Sequence, residues 1–300
     1  MLKESIEYLI TDKQGIYVDG TLGLGGHSEK ILEMLEGKGK LIGIDQDEEN
    51  LNFAKDRLKK FGKKFIPIHD NFSNLKALLQ KIKIKKVNGV LLDLGISSPH
   101  VDTADRGFSF LREGPLDMRF DTSKNFTAAD LLNRYSQKEI FEILKNYGEE
   151  PKAWKIATKI FETRRKKSFK STNDLLEAIV AVYGKEKILG KSVATKTFQA
   201  LRIAVNDELE VLKQVLDGLP NLISEKGRLV CISYHSLEDR IVKHKLRDMS
   251  KDVYEKFPPF QILKEAAFKV LTPHPILPSE AEIQRNPRSR SAKMRAGEKL

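Results

Sequence analysis

Three aspartates each close an apolar run: Asp19 after Ile16-Tyr-Val18, Asp45 after Leu41-Ile-Gly-Ile44, and Asp93 after Val87-Asn-Gly-Val-Leu-Leu92. A further run, Phe65-Ile-Pro-Ile-His69, opens into the polar aromatic segment Asp70-Asn-Phe72-Ser73. Between the first two acids lie Gly20, Gly23, Gly25 and Gly26, followed by His27. Ionised carboxylates accept hydrogen bonds from hydroxyls and attract cations, and glycines let the backbone pass close to a ligand. The combination fits a ligand rich in hydroxyls and neutral or positive in charge. A pyrophosphate fits less well, because the third glycine of a GxGxxG loop is missing. Any one of these aspartates is explained as a helix cap or turn former; three at equivalent places are not.

The elements that must position them follow from the apolar pattern. Each acid ends a short, continuously apolar run of the kind that forms a buried parallel strand. Amphipathic helices follow: one capped by Ser28, with Ile31, Leu32 and Leu35 inward, and one from Glu48 with Leu51, Ala54, Leu58 and Phe61 on one face. This alternation predicts an α/β fold on a mostly parallel, doubly wound sheet, with ligands beyond the carboxyl ends of its strands. Asp45 falls about twenty residues after the glycine loop, where an acid takes ribose hydroxyls. S-adenosylmethionine carries a ribose, a sulfonium and no phosphate, and matches this set. A later strand, Gly227 to Ser233, runs into Tyr234-His-Ser236 and brings His235 to the same rim as a substrate contact, with Ser236 capping the next helix. The glycine–serine–glycine elbow of a nucleophilic hydrolase is absent.

From Val101 the pattern changes. Residues 102–119 form a long polar loop carrying Phe108, Phe110, Arg106, Arg112 and Arg119, and aromatics with arginines argue against disorder. Helices are predicted over Thr127–Tyr135, from the capping box Ser136-Gln-Lys-Glu139 to Gly148, over Pro151–Lys167 and over Ser171–Tyr183. The third ends in a basic cluster, Arg164-Arg-Lys-Lys167, that fits either phosphates or a solvated helix end. The chain therefore divides into an α/β domain over 1–102 and 193–300 and an inserted helical domain over 103–192. Phe260–Leu263 and Phe268–Leu271 are expected to pair as closing antiparallel strands. Beyond Pro278, Arg285, Arg288, Arg290, Lys293 and Arg295 read as a basic surface arm for RNA or for a partner subunit, which leaves a homodimer open.

The bulk composition agrees with an acidic partner. Of 300 residues, 53 are Lys or Arg and 42 are Asp or Glu, a net charge of +11 that favours nucleic acid. The single cysteine, Cys231, sits in an apolar run and excludes an intrachain disulfide framework. No His/Asp/Glu set has metal spacing, so no metal is expected. No run approaches the ~20 apolar residues of a membrane span. The start, Met1-Leu-Lys-Glu-Ser5, has no signal-peptide pattern, so the expectation is a cytoplasmic protein without a membrane partner.

Eight stretches, in order along nearly the whole chain, resemble the bacterial 16S ribosomal RNA cytosine-N4 methyltransferase family. They are Asp19-Gly-Thr-Leu-Gly-Leu-Gly-Gly-His-Ser28, Gly43-Ile-Asp-Gln-Asp47, Leu91-Leu-Asp-Leu-Gly-Ile-Ser-Ser-Pro99, Asp105-Arg-Gly-Phe-Ser-Phe110, Gly114-Pro-Leu-Asp-Met-Arg119, Thr197-Phe-Gln-Ala-Leu-Arg-Ile203, Ser233-Tyr-His-Ser-Leu-Glu-Asp-Arg240 and Asn286-Pro-Arg-Ser-Arg-Ser-Ala-Lys293. The resemblance implies a Rossmann-like class I methyltransferase with an inserted all-helical, substrate-recognising domain. It implies S-adenosylmethionine as donor, leaving S-adenosylhomocysteine, and a cytidine of 16S rRNA in the small ribosomal subunit as acceptor. Its cofactor contacts carry over to Gly25, Gly26, His27, Asp45, Phe72, Asp93 and His100. His100 stands where the family commonly has Gln, and Lys196 where it usually has Arg.

For an exocyclic amine the chemistry is chiefly alignment of a weak nucleophile with a strong methyl electrophile. Asp93 is the candidate catalytic residue, serving cofactor, amine or both. Ser97, Ser98, Arg106, Phe108 and His235 are the substrate-proximal candidates, with Phe108 and Phe110 available to stack on a base drawn out of its helix. The sequence leaves open a methyltransferase with another RNA or small-molecule acceptor, a nicotinamide-dependent oxidoreductase, and a non-catalytic RNA-binding protein.

Overall fold

The computed structural model describes residues 1–184, 193–255 and 261–300. They form two compact units, Met1–Gly95 with Leu209–Leu300, and Ile96–Glu208. Among the described residues no helix is long and apolar enough to cross a membrane.

The first unit is built on a seven-stranded sheet. Its strands are β1 (Ile16–Asp19), β2 (Lys40–Asp45), β3 (Phe65–His69), β4 (Val87–Asp93), β5 (Ile223–Ser233), β8 (Phe268–Val270) and β9 (Lys293–Lys299). Their order is β3-β2-β1-β4-β5-β9-β8. The first five run parallel, and β9 lies antiparallel to both β5 and β8. Alternation along the strands feeds two cores. Val18, Ile42, Val90 and Leu229 pack with Leu75, Leu79, Leu216 and Leu219 on one face. Tyr17, Leu41, Leu91 and Val230 pack with Leu9, Ile31, Leu32 and Leu58 on the other. Burial of both faces explains why the strands read as continuous apolar runs. The order reverses between β1 and β4, and such a switch point opens a crevice at the strands' carboxyl ends.

Four expectations are corrected. The helix after the glycine loop is Gly26–Met34, entered through Gly25 in a left-handed conformation, so Ser28 lies inside it, fully buried, and does not cap it. The expected closing pair does not form. Ile262–Lys264 (β7) pairs with Val253–Tyr254 (β6) in a separate two-stranded sheet, and Phe268–Val270 pairs with β9; Phe260 lies outside the described residues. The basic C-terminal segment is not a surface arm from Lys293 onward: it is β9, with Met294, Arg295 and Ala296 buried. Arg295 tolerates burial because its Nε stands 2.6 Å from Asp239 Oδ1. Helix Val193–Asn206, assigned above to the α/β domain, belongs to the helical unit, because Phe198, Ala200 and Leu201 fill that unit's core. The units accordingly divide after Gly95 and after Glu208, and the expected boundary at 192 lies outside the described residues.

In the second unit, helices Ala128–Arg134, Gln137–Gly148, Ala153–Arg164, Thr172–Tyr183 and Val193–Asn206 surround Leu131, Leu144, Ile156, Ile160, Leu175, Ile179 and Leu201. Thr127, Ser136 and Ser171 begin three of them with capping boxes. The long loop is ordered by burial of Phe108, Leu116, Met118 and Phe120. Asn206 clasps it, accepting from Phe120 N and donating to Met118 O, both at 2.8 Å.

Candidate active site

At the carboxyl ends of β1, β2 and β4 the three acids are held by their own loops. Asp19 is 1% exposed; it accepts from Ser28 Oγ at 2.7 Å and from Thr21 N at 3.2 Å. Burial raises its pKa, against the pull of the His27 charge and of the Ser28 hydrogen bond. Asp45 accepts from Gly23 N at 2.7 Å on one oxygen and from Asp47 N at 2.8 Å on the other. Burial pushes its pKa up to about 6, the two backbone hydrogen bonds opposing. Each Asp45 oxygen keeps a further lone pair for a hydroxyl.

Asp93 has the densest surroundings. Its N–H donates to Thr21 Oγ1 at 2.6 Å, Tyr234 donates its phenol to Oδ1 at 3.0 Å, and His27 Nδ1 lies 3.3 Å from Oδ2. Burial pulls the His27 pKa down, but the hydrogen bond and charge of Asp93 and the charge of Asp19 outweigh it, and the net shift is upward. Nε2 of His27 is buried and has no partner among the described residues.

Gly23 and Gly25 hold φ of +51° and +78°, which L side chains rarely adopt. A Cβ on Gly25 would meet Leu58 at 3.2 Å, whereas one on Gly26 would meet nothing within 4 Å. The loop thus presses inward at Gly25 and leaves open space at Gly26. Phe72 begins the turn after β3, and its Cβ would lie 3.3 Å from a Cβ on Gly20, so it flanks the glycine loop. Open space at Gly26, the orphaned Nε2 of His27 and an acid with unused lone pairs at the end of β2 fit a nucleoside with hydroxyls and a positive centre.

Gly25, Gly26, His27, Asp45, Phe72 and Asp93 therefore share one rim of the α/β unit, together with His235. His235 is the N-cap of helix Ser236–Met249, so Ser236 is the first residue inside that helix and not its cap, and His235 Nε2 lies 3.2 Å from Oε1 of the buried Glu238. Ser97, Ser98, His100, Arg106 and Phe108 belong to the helical unit. There His100 is 4% exposed, accepts from Ser97 N at 3.2 Å, and stacks on Phe108 at 4.8 Å. Arg106 is likewise buried, with Nη2 donating to the carbonyls of Arg119 and Phe120. Phe108 packs on Phe120, and Phe110 packs edge-on to Phe198. Phe108 is core and Phe110 is half-buried against the same cluster, so neither is a free stacking surface. Tyr234, Thr21 and Glu238 were missed as site residues. Tyr234 carried a signal, being the residue directly after a strand that ends on the rim; Thr21 and Glu238 carried none.

The strand order, the switch point between β1 and β4, and the acids around the glycine loop define a class I S-adenosylmethionine-dependent methyltransferase. The model of the MraW methylase family matches residues 1–300, and the chain belongs to that family. It is 44% identical to the "Ribosomal RNA small subunit methyltransferase H" of Clostridioides difficile (strain 630), over 100% of this chain and 97% of that protein. Proteins of the same name from Halothermothrix orenii and Dictyoglomus turgidum are 43% and 44% identical, over 100% of this chain and 97% and 96% of theirs. Among solved structures, an rRNA methylase from Streptococcus thermophilus aligns at 16% identity and a TM-score of 0.41, covering 100% of this chain and 93% of its own.

Proposed function

We propose that this methyltransferase moves a methyl group from S-adenosylmethionine to the exocyclic N4 amine of a cytidine in 16S rRNA of the small ribosomal subunit. The observation that carries the acceptor class is full-length likeness to proteins named for small-subunit ribosomal RNA methylation. The arrangement around Asp93 supports an amine as the group to be held.

In this reading Asp45 accepts from the ribose hydroxyls, Gly25 and Gly26 let the backbone pass beside the ligand, and Phe72 offers an apolar face to its base. His27 presents Nε2 to the ligand while Nδ1 stays with Asp93. When bound, S-adenosylmethionine supplies the methyl group on a sulfonium. Asp93 keeps one lone pair on each oxygen beyond those used by Tyr234 and His27. It accepts a hydrogen bond from the amine, turns the nitrogen lone pair toward the methyl carbon, and offsets the positive charge that develops there. The helical unit takes the RNA, with Ser97 and Ser98 as its polar contacts, and His235 is a polar contact on the rim of the α/β unit. Arg106, Phe108 and His100, already bonded and stacked within that unit, hold its long loop in shape.

The test uses labelled S-adenosylmethionine, this protein, and small ribosomal subunits that lack the mark. Digestion to nucleosides should place the label in N4-methylcytidine; label in any other nucleoside sinks the acceptor.

A further inference from the structure

Helices Gln137–Gly148 and Ala153–Arg164 bury Ile140, Leu144, Ile156, Ala157 and Ile160. Away from that core they carry aromatic rings among cations. Trp154 is 54% exposed and meets Phe141 edge-on, with centroids 5.2 Å apart. The Lys145 ammonium stands 5.6 Å from the Phe141 centroid. One turn beyond Trp154, Thr158 Oγ1 accepts from Gln137 Nε2 at 2.8 Å. Two turns beyond it, Phe161 has the Arg164 and Arg165 guanidinium groups at 4.7 and 4.8 Å from its centroid. Arg164 is committed to the carbonyls of Leu132 and Tyr135, while Arg165 is exposed. From Trp154 to Arg165 the stripe runs about 16 Å along one helix face. Residues 153–167 carry six cations against the single acid Glu162.

An indole left in water and braced by a second ring, with cations over the neighbouring rings of the same stripe, is what a sequence-tolerant nucleic-acid surface requires: a base stacks on the indole and phosphates meet the charges. A duplex offers such a ring no free base face away from its ends, so the chemistry selects single strands. A protein partner for an apolar patch would not call for this excess of positive charge. We propose that this face binds a single-stranded RNA segment, with one unpaired base stacked on Trp154 and the backbone on Lys145 and Arg165. The proposal rests on the reading of RNA as substrate and names the surface of the helical unit that holds it.

Trp154 is the only tryptophan in the chain, so intrinsic fluorescence reports on this site alone. The full-length protein is titrated with a short single-stranded oligoribonucleotide, a duplex of equal length, and heparin as a polyanion without bases. The single strand should quench Trp154 and bind more weakly as salt rises. By anisotropy of a labelled strand, W154A should weaken binding on the order of tenfold while W154F keeps most of it. Heparin quenching as strongly as the single strand, a duplex binding as tightly, or W154A binding unchanged would each overturn the proposal. Methyl transfer to ribosomal RNA is followed in parallel. Transfer without quenching removes this surface and leaves the function standing; quenching without transfer to any RNA removes the function and leaves the surface.

Discussion

The phenol of Tyr234 donates to Oδ1 of Asp93 at 3.0 Å and joins the residue after β5 to the last residue of β4, although 141 positions separate them. The other Asp93 oxygen faces His27 Nδ1, so one carboxylate is steadied by both a phenol and an imidazole. Burial first, then the charge and hydrogen bond of Asp93, push the Tyr234 phenol well above its ordinary value. It stays a donor throughout the working pH range and cannot act as a base there.

Removal of that donor should cost rate and spare cofactor affinity. A hydrogen bond to a charged group contributes about 1.5–3 kcal/mol, so Tyr234→Phe should slow single-turnover methyl transfer on the order of tenfold or more. Cofactor affinity, measured by calorimetry, should change little. An unaltered rate would remove Tyr234 from the positioning of Asp93.

Asp93 also sets the titration of His27. The raised histidine pKa means that its contribution to stability is fully present below the ordinary value and is lost as pH rises through the folded value. With Asp93→Asn, burial and the Asp19 charge remain while the main partner is gone, so the His27 pKa should fall. Proton NMR titration of the imidazole reads this directly, and urea midpoints should lose the matching slope above about pH 6.5. A His27 pKa that does not move would break the assigned pair.

Much of this rim was legible in the sequence because its acids sit at the ends of continuously apolar runs, and strand periodicity needs no knowledge of partners. The pair Tyr234–Asp93 was not: its place after a strand puts Tyr234 on the rim, but nothing local says that it reaches a carboxylate 141 residues away. β9 stayed hidden for a related reason. Its inward residues are Met294 and Ala296, and the arginine between them is buried only because Asp239 meets it from another element. Ser28 looked like a cap because serine commonly is one. The left-handed Gly25 starts the helix earlier and leaves Ser28 to hydrogen-bond Asp19. In the helical unit the capping box at Ser136 was local and read correctly, as were the helix starts at Thr127 and Ser171, whereas the burial of His100 and Phe108 depended on Phe120 across the loop.

Cofactor affinity should depend on pH through Asp45. Burial holds this carboxyl at about 6, so near neutral pH it is mostly ionised and below that it gains a proton. Ribose hydroxyls that donate to the carboxylate favour the ionised form and lower its pKa in the complex. Affinity should therefore fall as pH drops through 6 and level off above about 7. Asp45→Asn should bind more weakly at neutral pH and lose the dependence. The same raised value means that Asp45 makes the free fold less stable as pH rises between its ordinary value and 6. A flat affinity profile for the unaltered protein, measured by calorimetry from pH 5 to 8, would dissociate Asp45 from the ribose.

The two adjacent glycines should separate fold from binding. At Gly25 the left-handed backbone costs an L residue roughly 1–2 kcal/mol, and the added Cβ would stand 3.2 Å from Leu58. Gly25→Ala should lower the urea midpoint by a corresponding amount. At Gly26 the backbone is ordinary helix and a Cβ meets nothing within 4 Å, so Gly26→Ala should leave the midpoint unchanged or slightly raised. That methyl would enter the space assigned to the cofactor, and affinity should fall on the order of tenfold, the scale of a forced shift in a packed site. Full cofactor affinity in Gly26→Ala would place the ligand elsewhere on the rim. A Gly25→Ala protein as stable as the parent would mean that the loop can relax out of its left-handed turn, and with it the inward press that leaves Gly26 facing open space.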